Sequence, residues 1–146
     1  MQLPFESNRF AGACMFHVGM NLSDKSQFFR EVKRVLQPGC VFAIYDVMCI
    51  GPGELQFPVP WATGANESFL AAPGEYRQGL TTAGFSVVAE RQRGEFAIDF
   101  FERMRQRTQQ EGPKPLGIHL MMGESAIIKT ENVLEGLRCG FIAPSK

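Results

Sequence analysis

The chain has 146 residues, of which 45% are hydrophobic and 21% charged, the composition of an ordinary soluble globular domain. Fifteen Lys and Arg residues balance fifteen Asp and Glu residues, so no net charge favours nucleic acid or an anionic membrane. The apolar runs fall far short of the roughly 20 residues that span a bilayer, and the N-terminus does not have the pattern of a signal peptide. We therefore expect one cytoplasmic domain over residues 1–146, with neither nucleic acid nor membrane as a partner.

The cysteines and histidines do not form a recognisable metal site. Neither His17 nor His119 pairs with a nearby cysteine or histidine in a known pattern. We expect no metal, and in a reducing compartment the cysteines are small hydrophobic residues. The four cysteines, which show no zinc or redox spacing, are Cys14, Cys40, Cys49 and Cys139.

The first third of the chain predicts a strand, a helix and a second strand. Residues 11–18 are apolar on both faces, as in a strand buried within a parallel sheet. Asp24 is a good N-cap residue with Gln27 three positions later, and apolar side chains then recur at helical spacing as far as Leu36. A Pro-Gly pair ends this helix, and Cys40–Met48 is rich in β-forming residues. Such a unit is a parallel crossover.

The remainder of the chain begins with a long irregular segment. Between Ile50 and Pro73, glycines and prolines interrupt every regular pattern, and a loop of this length is usually functional or disordered. The predicted elements beyond it are a helix from Pro73 closed by Gly84, a strand over Phe85–Arg91, a helix from about Phe96 to Gln110 and a helix over Glu124–Leu137.

Five phrases follow one another in an order typical of a known family: Leu3–Phe10, Glu31–Gly39, Phe57–Ala62, Gly84-Phe85 and Leu116–Gly123. Through the first, second and fourth phrases, the chain resembles the class I S-adenosylmethionine-dependent methyltransferases where they lead into the fourth, fifth and sixth sheet strands. Through the other two, it is similar to members that methylate small amines, such as the sarcosine and dimethylglycine N-methyltransferases. The resemblance implies an α/β fold, a partial Rossmann-like methyltransferase sheet from the fourth strand onward with flanking helices.

The resemblance also implies methyl transfer from S-adenosylmethionine to a small molecule, with an amine as the expected acceptor. In that family the donor lies over a Gly-rich turn after the first strand, and a carboxylate after the second strand holds the ribose hydroxyls. The 146 residues contain no Gly-x-Gly-x-Gly motif. We therefore expect a truncated methyltransferase-like protein that alone neither binds the cofactor nor catalyses transfer.

Three candidate site residues follow the fourth and fifth strands of the family's sheet. His17 resembles the position beside donor and acceptor, which predicts a weak cofactor contact; the alternative is a half-buried strand histidine. Tyr45 and Asp46 end the next strand on the same side of the sheet and are predicted to contact an amine substrate. Their alternative role is to terminate the strand by hydrogen bonding.

Trp61, Phe100 and His119 complete the predicted substrate-binding set. Trp61 would cover a methylammonium group through a cation–π contact, or else anchor its proline-rich loop. Phe100 shares an aromatic stripe with Phe96, which would line a substrate lid, although a stripe at helical spacing is more often part of a core. His119 lies in the phrase Leu116–Gly123, which resembles the amine-methylating members.

The predicted strand over residues 11–18 indicates self-association if the first strand of the family's sheet, its usual neighbour, is absent. Its edge would then expose unpaired amides and apolar side chains, so we expect a homo-oligomer, such as a dimer that joins two edges. The family's last strand is expected to be absent or incomplete, since only two residues follow the phrase Phe141–Pro144. Two rival functions remain: a non-enzymatic oligomeric module that binds a small molecule, and one half of a two-chain methyltransferase.

Overall fold

The computed structural model describes residues 2–112, 122–138 and 142–145, which are mixed α/β as predicted. Each of the two compact units has its own buried residues. The first unit comprises Met1–Cys49, Phe69–Gln92 and Pro144–Lys146, and the second comprises Ile50–Ser68 and Arg93–Ala143.

The predicted strand–helix–strand motif is present in the first unit. Strand β1 spans Phe10–Phe16, helix α1 spans Lys25–Val35, and strand β2 spans Leu36–Cys49. The side chain of Asp24 caps α1 by accepting a 2.8 Å hydrogen bond from the backbone N–H of Gln27. β1 and β2 pair in parallel, which confirms the crossover arrangement.

The turn that we predicted after α1 lies within β2 as a bulge. β2 begins at Leu36, which pairs with Phe10, but Gly12 already pairs with Val41, so the extra residues of β2 leave the ladder. Gly39 lies in this bulge with a φ of +80°, a left-handed conformation that glycine adopts without steric cost. The Pro-Gly pair therefore ends the helix as predicted without ending the strand pairing.

Helix α2, Pro73–Thr82, packs against α1 in the first unit. Phe29 of α1 is fully buried at the centre of this core. Its ring centroid lies 5.8 Å from that of Tyr76 and 6.3 Å from that of Phe42. Gly84 follows α2 with a φ of +89°, which confirms the predicted glycine at its C-terminus.

The prediction of a strand over Phe85–Arg91 is wrong. This segment has no regular structure, and Val88 is 91% exposed. Alternation of apolar residues produces a strand only where a partner and a buried face are available. The third strand of the sheet is β3, Ile142–Ser145, and the strand order is β1-β2-β3. The phrase Phe141–Pro144, which was expected to precede the last strand, therefore contributes residues to a strand itself.

The second unit contains helices α3, Gly94–Glu111, and α4, Ala126–Arg138, close to their predicted limits. Ion pairs join the two helices, with Arg138 2.8 Å from Glu102. In the described part of α3 only Ala97 is buried. No helix within the described ranges combines the length and the apolar character needed to cross a membrane.

The aromatic stripe of α3 is not a core. Phe96 is 57% exposed and Phe100 51% exposed, so the alternative in which these two side chains are core residues is wrong, and the substrate contact of Phe100 stays a prediction. The buried face of α3 passes through Ala97, which widens the predicted stripe on one side, and Phe101 and Met104 of the same stripe are half-buried. The helical period was identified correctly, but the number of large apolar residues did not identify the face that packs.

An ion pair on α1 fastens the N-terminal segment. The Glu31 carboxylate accepts a 2.9 Å hydrogen bond from the Leu3 N–H and lies 2.8 Å from Arg34. The Arg34 guanidinium in turn donates to the carbonyl oxygens of Leu3 and Phe5, at 3.1 and 2.8 Å. The Arg34 hydrogen bond, followed by that of Leu3, lowers the pKa of Glu31 from 4.5 to about 2.

Glu31→Gln should remove part of the acid sensitivity of the protein. Because the folded-state pKa lies below the ordinary value, the stabilisation is complete above pH 4.5 and is lost as pH falls towards about 2. Urea unfolding from pH 7 down to about pH 2 measures this dependence. Glu54→Gln, at an exposed position, is the control. Equal acid dependence in Glu31→Gln and the unchanged protein would contradict the prediction.

Candidate functional site

The structure brings His17 and Tyr45 together at the carboxyl side of the parallel pair. The His17 N–H donates a 2.9 Å hydrogen bond to the Tyr45 carbonyl oxygen, and the two rings meet edge to face with centroids 5.1 Å apart. Ligands of open α/β sheets bind at this edge. The two residues therefore form a candidate binding surface.

His17 itself lies just beyond the end of β1 and is exposed. The alternative of a half-buried strand histidine is therefore wrong. The backbone of His17 has a φ of +52°, which costs a residue other than glycine about 1–2 kcal/mol. A strained conformation of this kind persists only where the surrounding structure fixes it, and such residues concentrate at functional sites.

Asp46 is fully buried, and its carboxylate joins three parts of the first unit. Its Oδ2 accepts hydrogen bonds from the Gly19 N–H at 2.7 Å and the Tyr76 hydroxyl at 2.8 Å. Its Oδ1 accepts from the Val47 N–H at 3.1 Å. The hydrogen bonding expected of Asp46 in its alternative role is thus observed, but Asp46 does not terminate the strand, because β2 continues to Cys49. Its contact with a substrate stays a prediction.

Burial determines the protonation equilibria of this cluster. It raises the pKa of Asp46, although the hydrogen bonds from Tyr76, Gly19 and Val47 act in the opposite direction. Burial and the adjacent Asp46 both raise the pKa of Tyr76, so its hydroxyl remains a donor. Lys25 is half-buried nearby, and burial lowers its pKa while the charge of Asp46 opposes that shift. Burial thus opposes the charged forms of Asp46 and Lys25. The hydrogen bonds to Asp46, and its attraction for Lys25, act against burial.

Sequence reasoning did not identify Gly19, Tyr76 or Lys25. A Cβ atom on Gly19 would lie 2.1 Å from both Asp46 Oδ2 and the Tyr76 hydroxyl oxygen, so only glycine fits there. Tyr76 lies within the helix predicted from Pro73 to Gly84, and nothing there marks it as a partner of Asp46. Asp46 and Tyr76 are 30 positions apart, and no local pattern signals such a pair. The one sequence signal that could have pointed to Gly19 was a glycine directly after a predicted strand.

The other predicted substrate-binding residues lie elsewhere. The second unit contains Trp61 and Phe100. Trp61 is half-buried, and its indole N–H donates a 3.0 Å hydrogen bond to the Ser68 hydroxyl, as expected for the alternative in which it anchors its loop. Phe100 contacts Phe101 edge to face, with centroids 5.6 Å apart. His119 lies outside the residues that the structure describes.

That this chain alone does not bind S-adenosylmethionine stays a prediction. A donor site of this family needs glycines that leave space for a ligand beside the backbone. Gly19, the glycine at the carboxyl side of β1, instead faces Asp46 and Tyr76 of the same chain. Among the described residues, no three His, Cys, Asp or Glu side chains converge as metal ligands.

Comparison with known proteins supports the predicted resemblance. Residues 1–44 match a family model described as a methyltransferase domain. Among curated protein sequences, none matches this chain. The family match covers β1, α1 and the first part of β2, so it includes His17 but ends just before Tyr45.

Solved methyltransferase structures share the fold. A putative sarcosine dimethylglycine methyltransferase from Galdieria sulphuraria is 21% identical with a TM-score of 0.74, and the alignment covers 98% of this chain and 53% of that one. Phosphoethanolamine N-methyltransferase 2 from Haemonchus contortus, in complex with phosphomonomethylethanolamine and S-adenosylhomocysteine, is 13% identical with a TM-score of 0.65, covering 97% and 33%. The [4+2]-cyclase SpnF is 17% identical with a TM-score of 0.66, covering 99% and 51%.

The resemblance to class I S-adenosylmethionine-dependent methyltransferases is therefore confirmed, and the described residues adopt part of the Rossmann-like methyltransferase fold. The chain spans about half the length of the Galdieria protein and of the cyclase, and a third of the length of the Haemonchus protein. The cyclase shows that one fold serves more than one reaction, so the function must be argued from the site.

Proposed function

We propose that this chain provides the acceptor side of an S-adenosylmethionine-dependent methyltransferase and that the acceptor is a small amine. The observation that carries the proposal is the exposed His17, held in a left-handed conformation against Tyr45 at the carboxyl side of the parallel strands. This edge of an open α/β sheet is where substrates bind. The likeness to amine and phosphobase methyltransferases supports the choice of acceptor.

Methyl transfer requires mainly that the protein align the donor and the acceptor. The donor carries its methyl group on a sulfonium, a good leaving group, so the protein has to hold the acceptor nitrogen in line with that methyl group. His17 and Tyr45 present a polar aromatic surface for the amine, and Asp46 fixes the backbone behind it. Trp61 belongs to the second unit, and its cation–π contact with a methylated ammonium group, worth about 0.5–2 kcal/mol, stays a separate prediction.

The donor is held by residues outside these 146, either on a longer chain or on a second polypeptide. The sequence has no Gly-x-Gly-x-Gly motif, and Gly19 leaves no space for a ligand. The 146 residues alone should therefore give no saturable heat when titrated calorimetrically with S-adenosylhomocysteine. Saturable binding at micromolar concentration would contradict this part of the proposal.

Amine binding can be tested without the donor. Dimethylglycine added to isotope-labelled protein should move the NMR signals of the His17 and Tyr45 rings, whereas isovalerate, which has nearly the same shape but no nitrogen, should not. His17→Ala should abolish the effect on Tyr45. Equal shifts with both compounds, or none with dimethylglycine at tens of millimolar, would rule out an amine site here.

A second candidate function is an oligomeric, non-enzymatic module that binds a small molecule. β1 lies at an edge of the sheet in the described part of the chain, and Phe16 is 60% exposed. An apolar edge of this kind favours pairing with a second copy. This reading differs from the first in requiring that ligand affinity be independent of the donor.

The oligomer can be tested by light scattering after size-exclusion chromatography. We expect a dimer, and Cys14→Lys on the exposed part of β1 should convert it to a monomer, because a charged edge opposes strand pairing. Val88→Lys, at a position exposed outside the strands, is the matched control. A monomeric unchanged protein at high concentration would contradict the prediction.

A further inference from the structure

One carboxylate oxygen connects the segment that carries His17 to helix α2. Asp46 Oδ2 accepts both the Gly19 N–H at 2.7 Å and the Tyr76 hydroxyl at 2.8 Å. Hydrogen bonds to a carboxylate are stronger than those between neutral groups. Because Asp46 is fully buried, water does not compete for these bonds. The bridge therefore joins β2, α2 and the segment after β1.

The bridge completes the fixation of His17. The His17 N–H is bonded to the Tyr45 carbonyl oxygen at 2.9 Å, and two residues later the Gly19 N–H is bonded to Asp46. The left-handed residue thus lies between two anchored amides, and both anchors belong to β2. Without the second anchor, His17 and Val18 would be free to relax towards an ordinary conformation.

Hydrogen bonds from Lys25 hold the part of the same segment that lies beyond Gly19. Lys25 is half-buried near Asp46, and its ammonium donates to the carbonyl oxygens of Leu22 and Phe69. The Phe69 N–H in turn donates to the Met20 carbonyl oxygen at 2.8 Å. The segment after Gly19 is therefore held by its own hydrogen bonds. The backbone between His17 and Gly19 depends instead on the Asp46 carboxylate.

We propose that Asp46 and Tyr76 are positioning residues that set the orientation of the His17 imidazole for the acceptor. This inference rests on the proposed function, in which His17 contacts the amine. Neither residue needs to touch the substrate. The Tyr76 hydroxyl holds the Asp46 carboxylate in place by a hydrogen bond, and the carboxylate holds the Gly19 amide. The position of this amide fixes the backbone that follows His17.

The test is NMR spectroscopy of labelled Tyr76→Phe and Asp46→Asn variants of the full chain. Tyr76→Phe removes one hydroxyl and keeps the ring in the core, so we expect the Gly19 amide proton and the His17 ring signals to move. Asp46→Asn should move both further. Dimethylglycine should bind to Tyr76→Phe about threefold to tenfold more weakly, the equivalent of one hydrogen bond.

Two controls separate positioning from general disturbance. Thr82→Val removes an exposed hydroxyl from α2, the helix that carries Tyr76, and should leave the Gly19 amide signal unchanged. Asp99→Asn changes an exposed aspartate of α3 and should leave Gly19 and His17 unchanged. If Asp46→Asn does not fold, Tyr76→Phe decides the test alone.

The possible outcomes distinguish the two proposals. Unmoved Gly19 and His17 signals in folded Tyr76→Phe would overturn the positioning role, whatever the protein binds. Displaced signals with weaker amine binding would support both proposals. Displaced signals in a protein that binds no amine, with or without the substitution, would support the bridge to His17 and overturn the proposed function.

Discussion

Phe29→Ala should lower the free energy of unfolding by about 3–5 kcal/mol, as is typical of deleting a buried aromatic side chain. Phe29 has no exposed surface and lies at the centre of the first unit, against Tyr76 and Phe42. Its removal would leave a cavity between α1, α2 and β2 that the remaining rings cannot fill. This loss is a large fraction of the stability of a typical small domain.

Urea unfolding followed by circular dichroism measures the effect. Phe100→Ala is the matched control, because this phenylalanine is half exposed and its removal should change stability by no more than about 0.5 kcal/mol. Similar losses for Phe29→Ala and Phe100→Ala would show that the core has been placed on the wrong helix.

Gly19→Ala should destabilise the protein by about 3–5 kcal/mol, because it combines steric overlap with the loss of hydrogen bonds to a buried carboxylate. The added methyl carbon would lie 2.1 Å from Asp46 Oδ2 and from the Tyr76 hydroxyl oxygen. Both atoms are buried and held in place, so neither can move aside cheaply. The segment after β1 would have to leave its position.

Gly74→Ala provides the comparison for Gly19→Ala. Gly74 lies in the first turn of α2, and no atom lies within 4 Å of a Cβ atom built on it. Since alanine favours a helix over glycine by up to about 1 kcal/mol, this substitution should be neutral or stabilising. Thermal unfolding of both variants gives the difference, and equal stability of the two would contradict the steric argument at Gly19.

The sequence was informative where the determinants of structure are local. Asp24 and Gln27 located the start of α1, and apolar residues on both parities located β1, but the prediction that β1 is buried on both faces is wrong, since only Met15 of it is buried. The meeting of His17 and Tyr45 also followed, since each was assigned to the carboxyl end of its strand and the strands are parallel. The strand–helix–strand order supplied the parallel arrangement, and the family resemblance agreed with it.

Interactions between distant residues escaped prediction. The Asp46 bonds reach 27 positions back to Gly19 and 30 forward to Tyr76, and nothing in the composition of either segment indicates the pair. The irregular Phe85–Arg91 segment illustrates the same limit, because its alternation could not show that no strand would pair with it. Which face of a helix or strand is covered depends on tertiary packing.

Among the described strands, β1 pairs only with β2, and this has a consequence for its amide hydrogens. The His17 N–H points to β2, so by the two-residue period of a strand the Met15 N–H does also, while the amides of Cys14 and Phe16 point to the open side. In the chain by itself, hydrogen exchange along β1 should alternate between slow and fast. Uniformly slow exchange would reveal that another strand has been added, whichever polypeptide contributes it.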